Sequence, residues 1–160
     1  MATLEVTVES IKRLREQTGA GIMDCKRALQ QASGDADEAA RILRAKGIAS
    51  AAKKASRETN EGIIETYVHT GGRVGSIVEI NCETDFVART DAFKNLAHDI
   101  AMQVAAMAPV QIHQTESSDE DVWNPQEAVL LEQPFIKDPS LTVQDLINEA
   151  VGKLGENVRV

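Results

Sequence analysis

Apolar residues recur every three to four positions in three short stretches at the start of the chain, with polar residues between them. Val8, Ile11 and Leu14 share one face of a helix that Thr7 can cap and that runs to about Gln17. Gly19 and Gly21 interrupt it, because glycine ends helices and permits tight turns. A second helix, from about Ile22 to Ala32, buries Ala28, Leu29 and Cys25 before Gly34 stops it. Asp35 or Asp37 starts a third, with Ala39, Ile42 and Leu43 inward and Gly47 as its stop. Helices this short are marginal alone and gain stability by packing. A three-helix bundle over residues 1–50 is expected, followed by an Ala-, Lys- and Ser-rich linker over 51–60 that is partly helical.

The spacing then changes. Ile63, Ile64, Tyr67 and Val68 form one β segment, and Val74, Ile77, Val78 and Ile80 a second. Thr70-Gly71-Gly72-Arg73 between them is a hairpin signal, since tight hairpin turns need positive φ. Gly75, inside the second run, marks a bulge or the close approach of another backbone. From about Thr90 to Met107, Phe93, Leu96, Ala97, Ile100, Val104 and Met107 form one buried stripe, and Pro109 ends that helix. Val110 to Ile112 reads as a short strand, Thr115 to Asp121 as an exposed acidic loop, and Gln126 to Gln133 as a helix. Phe135-Ile136 anchors a loop between Pro134 and Pro139. Thr142 to Leu154 is helical with Val143, Leu146, Ile147, Ala150 and Leu154 inward, Gly155 stops it, and Asn157 to Val160 begins a strand. The fold class is α+β: the bundle, then an α+β core over 61–160 with a small antiparallel sheet packed on helices.

Charge sharpens the division. Through Arg57 there are 11 Lys or Arg against 7 Asp or Glu; from Glu58 onward there are 6 against 18. The break supports a boundary near residues 50–60. An acidic second part argues against nucleic acid as the principal ligand, because phosphate contacts need clustered Lys and Arg. No apolar run approaches the ~20 residues that span a bilayer, so no membrane partner is expected. Met1 to Glu5 lacks the basic-then-apolar pattern of a signal peptide, which makes the cytoplasm the expected location. Cys25 and Cys82 form no CxxC pair and read as small reduced core thiols.

Little here points to catalysis. His69, His98 and His113 sit in no nucleophile motif with either cysteine. The chain has no GxxxxGK[ST] and no GxGxxG. Gly71-Gly72 lacks the following helix N-terminus that would cradle phosphate. Asp119 to Asp121 match no calcium loop. No cofactor is expected.

A binding module remains, and two features are double-edged. Ile22 and Met23 follow a glycine turn; they either fill the bundle core or form an exposed apolar loop against a partner. Phe86 lies seven residues before Phe93 and can extend the same stripe or stand outside it. Asp85 can cap the turn beginning at Thr84 or Asp85.

Leu14-Arg15-Glu16-Gln17-Thr18-Gly19-Ala20-Gly21-Ile22-Met23-Asp24-Cys25-Lys26-Arg27-Ala28-Leu29 resembles the amino-terminal signature of the translation elongation factor Ts family. Glu79 to Arg89, with Thr84-Asp85-Phe86-Val87 at its centre, resembles the family's second signature. Gly34-Asp35, Leu43 to Gly47, Glu61-Gly62, Gly71-Gly72, Leu131 to Phe135 and Gly155-Glu156-Asn157 continue the likeness in order. The resemblance implies a ubiquitin-associated-like bundle and an exchange factor that releases GDP from the GTPase elongation factor Tu. Asp85 and Phe86 would intrude on the partner's nucleotide site, Phe86 disturbing magnesium and phosphate contacts. Leu14, Ile22 and Met23 would dock on the GTPase domain, and the hairpin from His69 through Gly71, Gly72 and Arg73 to Gly75 would face another part of the partner. Short members with one core subdomain are expected to pair as homodimers. The family pattern usually continues with a further strand segment beyond Arg159-Val160, so a truncated tail is also an expectation. The competing class is a ubiquitin-associated-like adaptor without exchange activity.

Overall fold

The computed structural model describes residues 6–114 and 125–160; the acidic loop expected at Thr115 to Asp121 lies outside them. Helix α1 (Val8–Thr18) begins at a reciprocal capping box, in which Thr7 and Ser10 each bond the other's backbone N–H. Gly19, in the left-handed region at φ 64°, ends it. Helices α2 (Ile22–Gln31) and α3 (Ala36–Lys54) complete the bundle. Leu14, Cys25, Ala28, Leu29 and Ala39 form its core, with Ile11, Ile42 and Leu43 against them.

Gly47 does not stop α3. The helix runs on for seven residues, through the first part of the expected linker. Gly47 is buried, and a Cβ there would sit 3.4 Å from the Asn148 carbonyl oxygen. That carbonyl belongs to helix α7 (Val143–Leu154), whose own Gly152 would bring a Cβ to 3.3 Å from the Gly47 Cα. Two helices cross here backbone to backbone, so the glycine serves close packing rather than termination. It thereby joins the bundle to the core.

Strands β1 (Glu61–Val68) and β2 (Gly75–Cys82) pair antiparallel from Glu61 opposite Cys82 to Val68 opposite Gly75. The connecting turn uses Gly71 (φ 96°) and Gly72 (φ 68°). Gly75 stays in register: no bulge forms, and a Cβ would lie 2.8 Å from the Tyr67 carbonyl oxygen. After a single helical turn α4 (Asp85–Ala88), helix α5 (Asp91–Met107) packs beneath the sheet through Phe93, Leu96, Ala97, Ile100 and Ala101. Met107, expected inward, is exposed at the helix end.

The expected helix at 126–133 is broken. A short turn α6 (Pro125–Ala128) and a 3₁₀ turn (Leu130–Glu132) flank Val129, whose backbone is extended and bridges Gln111. The expected strand at 110–112 is reduced to that bridge. Residues around Phe135 form a small hairpin, β3 (Pro134–Phe135) with β4 (Asp138–Thr142). Helix α7 then leads to β5 (Val158–Arg159), which pairs antiparallel with β2, giving the order β1-β2-β5. Buried Gln103 and Gln133 satisfy each other: Gln103 Nε2 donates to Gln133 Oε1 at 3.1 Å, and Gln103 Oε1 accepts from the Ile136 amide at 2.9 Å.

Candidate functional site

β2 ends at Cys82, and the chain turns sharply into α4. Thr84 has extended backbone and caps α4, its hydroxyl accepting from the Val87 amide. Thr90 ends the motif: its hydroxyl donates to the Val87 carbonyl at 2.8 Å and accepts from the Phe93 amide at 3.3 Å, capping α5. Between these two caps Ala88 is buried and Val87 packs against the core. Phe86 points the other way and is 78% exposed. The pattern-based alternative in which Phe86 extends the α5 stripe is therefore overturned. The break after α4 and the new cap at Thr90 restart the helical phase between the two rings, so seven-residue spacing to Phe93 no longer means one face. Asp85 is paired with Arg89 at 2.8 Å in an exposed i,i+4 ion pair, which contributes little to stability.

The turn is held from the far end of the sequence. Glu156 Oε2 accepts from the Glu83 and Thr84 amides at 3.1 and 3.0 Å, and Oε1 accepts from the Thr84 hydroxyl at 2.6 Å. Glu83 in turn accepts from the Asn157 amide at 2.7 Å and pairs with Arg57 at 3.3 Å. The Asn157 amide, then the Arg57 guanidinium, hold the Glu83 carboxyl below its usual range. The Asn157 side chain donates to the Ala55 and Arg57 carbonyls. Cys82 closes the other side, its thiol donating to the Thr84 carbonyl at 3.2 Å. Burial, then the Glu156 charge, push that thiol's pKa up, which suits a structural rather than a reactive thiol. Sequence reasoning named none of Arg57, Glu83, Glu156 and Asn157 as site residues. For Glu156 and Asn157 the signal is a polar Gly-Glu-Asn run without periodicity, more than 70 residues from the turn it braces.

The other candidate residues occupy separate elements. Ile22 and Met23 open α2 and are 56% and 60% exposed, an apolar pair left outside the bundle core. Leu14, expected beside them at the surface, is instead buried in that core. His69, Gly71, Gly72 and Arg73 are all exposed at the β1–β2 tip. The His69 Nδ1 lies 3.0 Å from the Tyr67 hydroxyl. Eight-residue strands separate this tip from Phe86 by about 25 Å, at opposite ends of the sheet. Ile64, Val68 and Ile77 are exposed on the sheet face turned away from α5. Among the described residues no group of three or more His, Cys, Asp or Glu is placed to hold a metal ion. No helix among them is long and apolar enough to cross a membrane.

The family model described as "Elongation factor TS" matches residues 2–125. Elongation factor Ts of Carboxydothermus hydrogenoformans is 46% identical, covering 97% of this chain and 85% of that protein. Elongation factor Ts of Herpetosiphon aurantiacus is also 46% identical, covering 98% and 94%. Elongation factor Ts of Thermotoga maritima is 45% identical, covering 98% and 93%. Each alignment is longer than the 160 residues of this chain, so these relatives carry positions with no counterpart here. The family-model match over residues 2–125, with identity of this extent over nearly the whole length, places the chain in the elongation factor Ts family.

Proposed function

We propose that the chain is the guanine-nucleotide exchange factor of elongation factor Tu and that Phe86 is its wedge. The carrying observation is a large aromatic side chain, 78% exposed, on a turn capped at both ends. An exposed phenylalanine on a rigid support gains by being buried in a partner, and such anchors are worth a few kcal/mol. A factor that binds the nucleotide-free GTPase more tightly than the GDP form weakens GDP by the same ratio. About 1.4 kcal/mol of that difference is tenfold in GDP affinity. The chain acts by binding, with no cofactor and no covalent step, and incoming GTP displaces it.

The bundle, read as ubiquitin-associated-like, docks on the GTPase domain through Ile22 and Met23. Leu14 supports that loop from beneath. The hairpin tip at His69 to Arg73 meets a second region of the partner. Homodimerisation is supported by the apolar row Ile64, Val68 and Ile77 on the open sheet face. The factor works in the cytoplasm, without nucleic acid or membrane.

Release of fluorescent GDP from elongation factor Tu, with this protein sub-stoichiometric, tests the reading. Fast release by the parent and release slowed at least tenfold by Phe86→Ala are expected. No acceleration by the parent would leave the adaptor reading in its place. Equal rates for parent and variant would keep exchange and remove Phe86 from it.

A further inference from the structure

The wedge turn is short, and a four-residue helix has too few internal bonds to hold its own direction. Its aim is set from outside, and one side chain supplies most of what sets it. We infer that Glu156 is the positioning residue of the exchange activity, orienting Phe86 without touching the partner. This inference rests on the exchange reading above.

Glu156 follows Gly155, the left-handed cap of α7 at φ 79°. Its carboxylate therefore projects from a fixed helix end rather than from a mobile loop. Both oxygens are used. One collects two successive amides, Glu83 and Thr84, which would otherwise point outward past the last rung of β2. The other accepts the hydrogen bond donated by the Thr84 hydroxyl. That donation leaves the Thr84 oxygen lone pairs facing the Val87 amide, the bond that starts α4. Glu156 thus dictates both the backbone entering the turn and the polarity of its cap. Hydrogen bonds to a charged acceptor are about twice as strong as neutral ones. A neutral amide at this position would also present a donor where the Thr84 hydroxyl now donates.

Asn157 and Glu83 add a second brace. Asn157 gives its amide to Glu83 and its side chain to the carbonyls of Ala55 and Arg57, just past the end of α3. The aim of Phe86 is therefore referenced to the segment that joins bundle and core. An orienting group of this kind changes how fast the bound partner loses GDP, not how tightly the partner is held by other surfaces. Small misplacements of a working group cost up to about a hundredfold in rate.

The experiment uses the full chain with Glu156→Gln and Glu156→Ala, each alone and combined with Phe86→Ala. Glu156→Gln keeps the size of the side chain, and so keeps the test valid if the alanine variant folds poorly. GDP release is measured across a range of exchange-factor concentrations. The expected result is a maximal release rate lowered about tenfold, with the half-saturating concentration unchanged. In the Phe86→Ala background the Glu156 changes should have no further effect, because they act through a side chain already gone. Multiplied effects in the double variant would overturn the proposal, as would an unchanged rate in both single variants. Amide exchange at Glu83, Thr84 and Val87 reads the brace without any partner. Protection in the parent that is lost in Glu156→Gln supports it, and unprotected amides in the parent overturn it. If Phe86→Ala alone is fully active while protection behaves as expected, the wedge reading has failed and takes the positioning role with it, although the brace itself stands.

Discussion

Phe93 is fully buried beneath the sheet, and Phe86, one capped turn earlier, stands in solvent. The two should separate stability from function. Phe93→Ala is expected to cost about 3–5 kcal/mol, the range for deleting a buried ring. Phe86→Ala should change stability by no more than about 0.5 kcal/mol, as at an open surface site, while slowing GDP release. Urea denaturation of both variants, set beside their release rates, checks this. A large stability loss for Phe86→Ala would mean that the ring is packed after all. Spacing alone left Phe86 undecided, because periodicity assumes one continuous helix and cannot see a cap that resets it. Leu14 is a different case: its spacing set it on one helix face with Ile11, the resemblance set it on the docking surface with Ile22 and Met23, and the structure buries it in the bundle core. Gln103 was missed for another reason. It sits on the buried stripe of α5, and its partner Gln133 is 30 residues away.

Where an element carried its own caps and a clean period, sequence and structure agree. The segments α1, α5, α7 and the β1–β2 hairpin were legible because Thr7, Thr90, Thr142, Gly155 and the Gly71-Gly72 pair are local signals. Disagreement appears where a distant backbone intervenes. Gln111 pairs with Val129 and breaks the helix expected there. Gly47 reads as a stop, yet a neighbouring helix needs it as a gap. Gly47→Leu tests this directly. A Cβ there would already touch the Asn148 carbonyl at 3.4 Å, so the further carbons of a leucine push α3 and α7 apart. A loss of about 2 kcal/mol or more is expected in thermal or urea unfolding, within the range for overpacked sites. Were Gly47 an open interior position of α3, with no helix packed on it, the leucine would stabilise the helix by about 0.8–1 kcal/mol through propensity alone.

For the molecule as a whole, acid should be destabilising. Asp24 is held below its usual range by the hydrogen bond from Lys46, Glu83 by the Asn157 amide, and Asp138 by the Ser140 hydroxyl. A carboxyl with a depressed folded value stabilises above its unfolded value, and that stability is lost as pH falls through the folded value. Midpoints of thermal unfolding should therefore hold between pH 5 and 7 and fall below about pH 4. A flat profile across that window would mean that these pairings contribute nothing. The open sheet face carries a second expectation. Ile64→Glu combined with Ile77→Glu should convert a two-chain sedimentation mass into a one-chain mass, because like charges would then face each other across the pairing surface. Parent protein sedimenting as a single chain would remove the dimer. The uninterrupted course of α3 from bundle to core has a geometric corollary. A helix of 3.6 residues per turn is a spindle on which every added residue rotates what precedes it by about 100° and shifts it by 1.5 Å. Ile22 and Met23 are mounted on one end of that spindle, and Phe86 is referenced through Ala55 and Arg57 to the other. A single residue inserted between Gly47 and Lys54 would turn the two surfaces out of phase, with every contact residue still present.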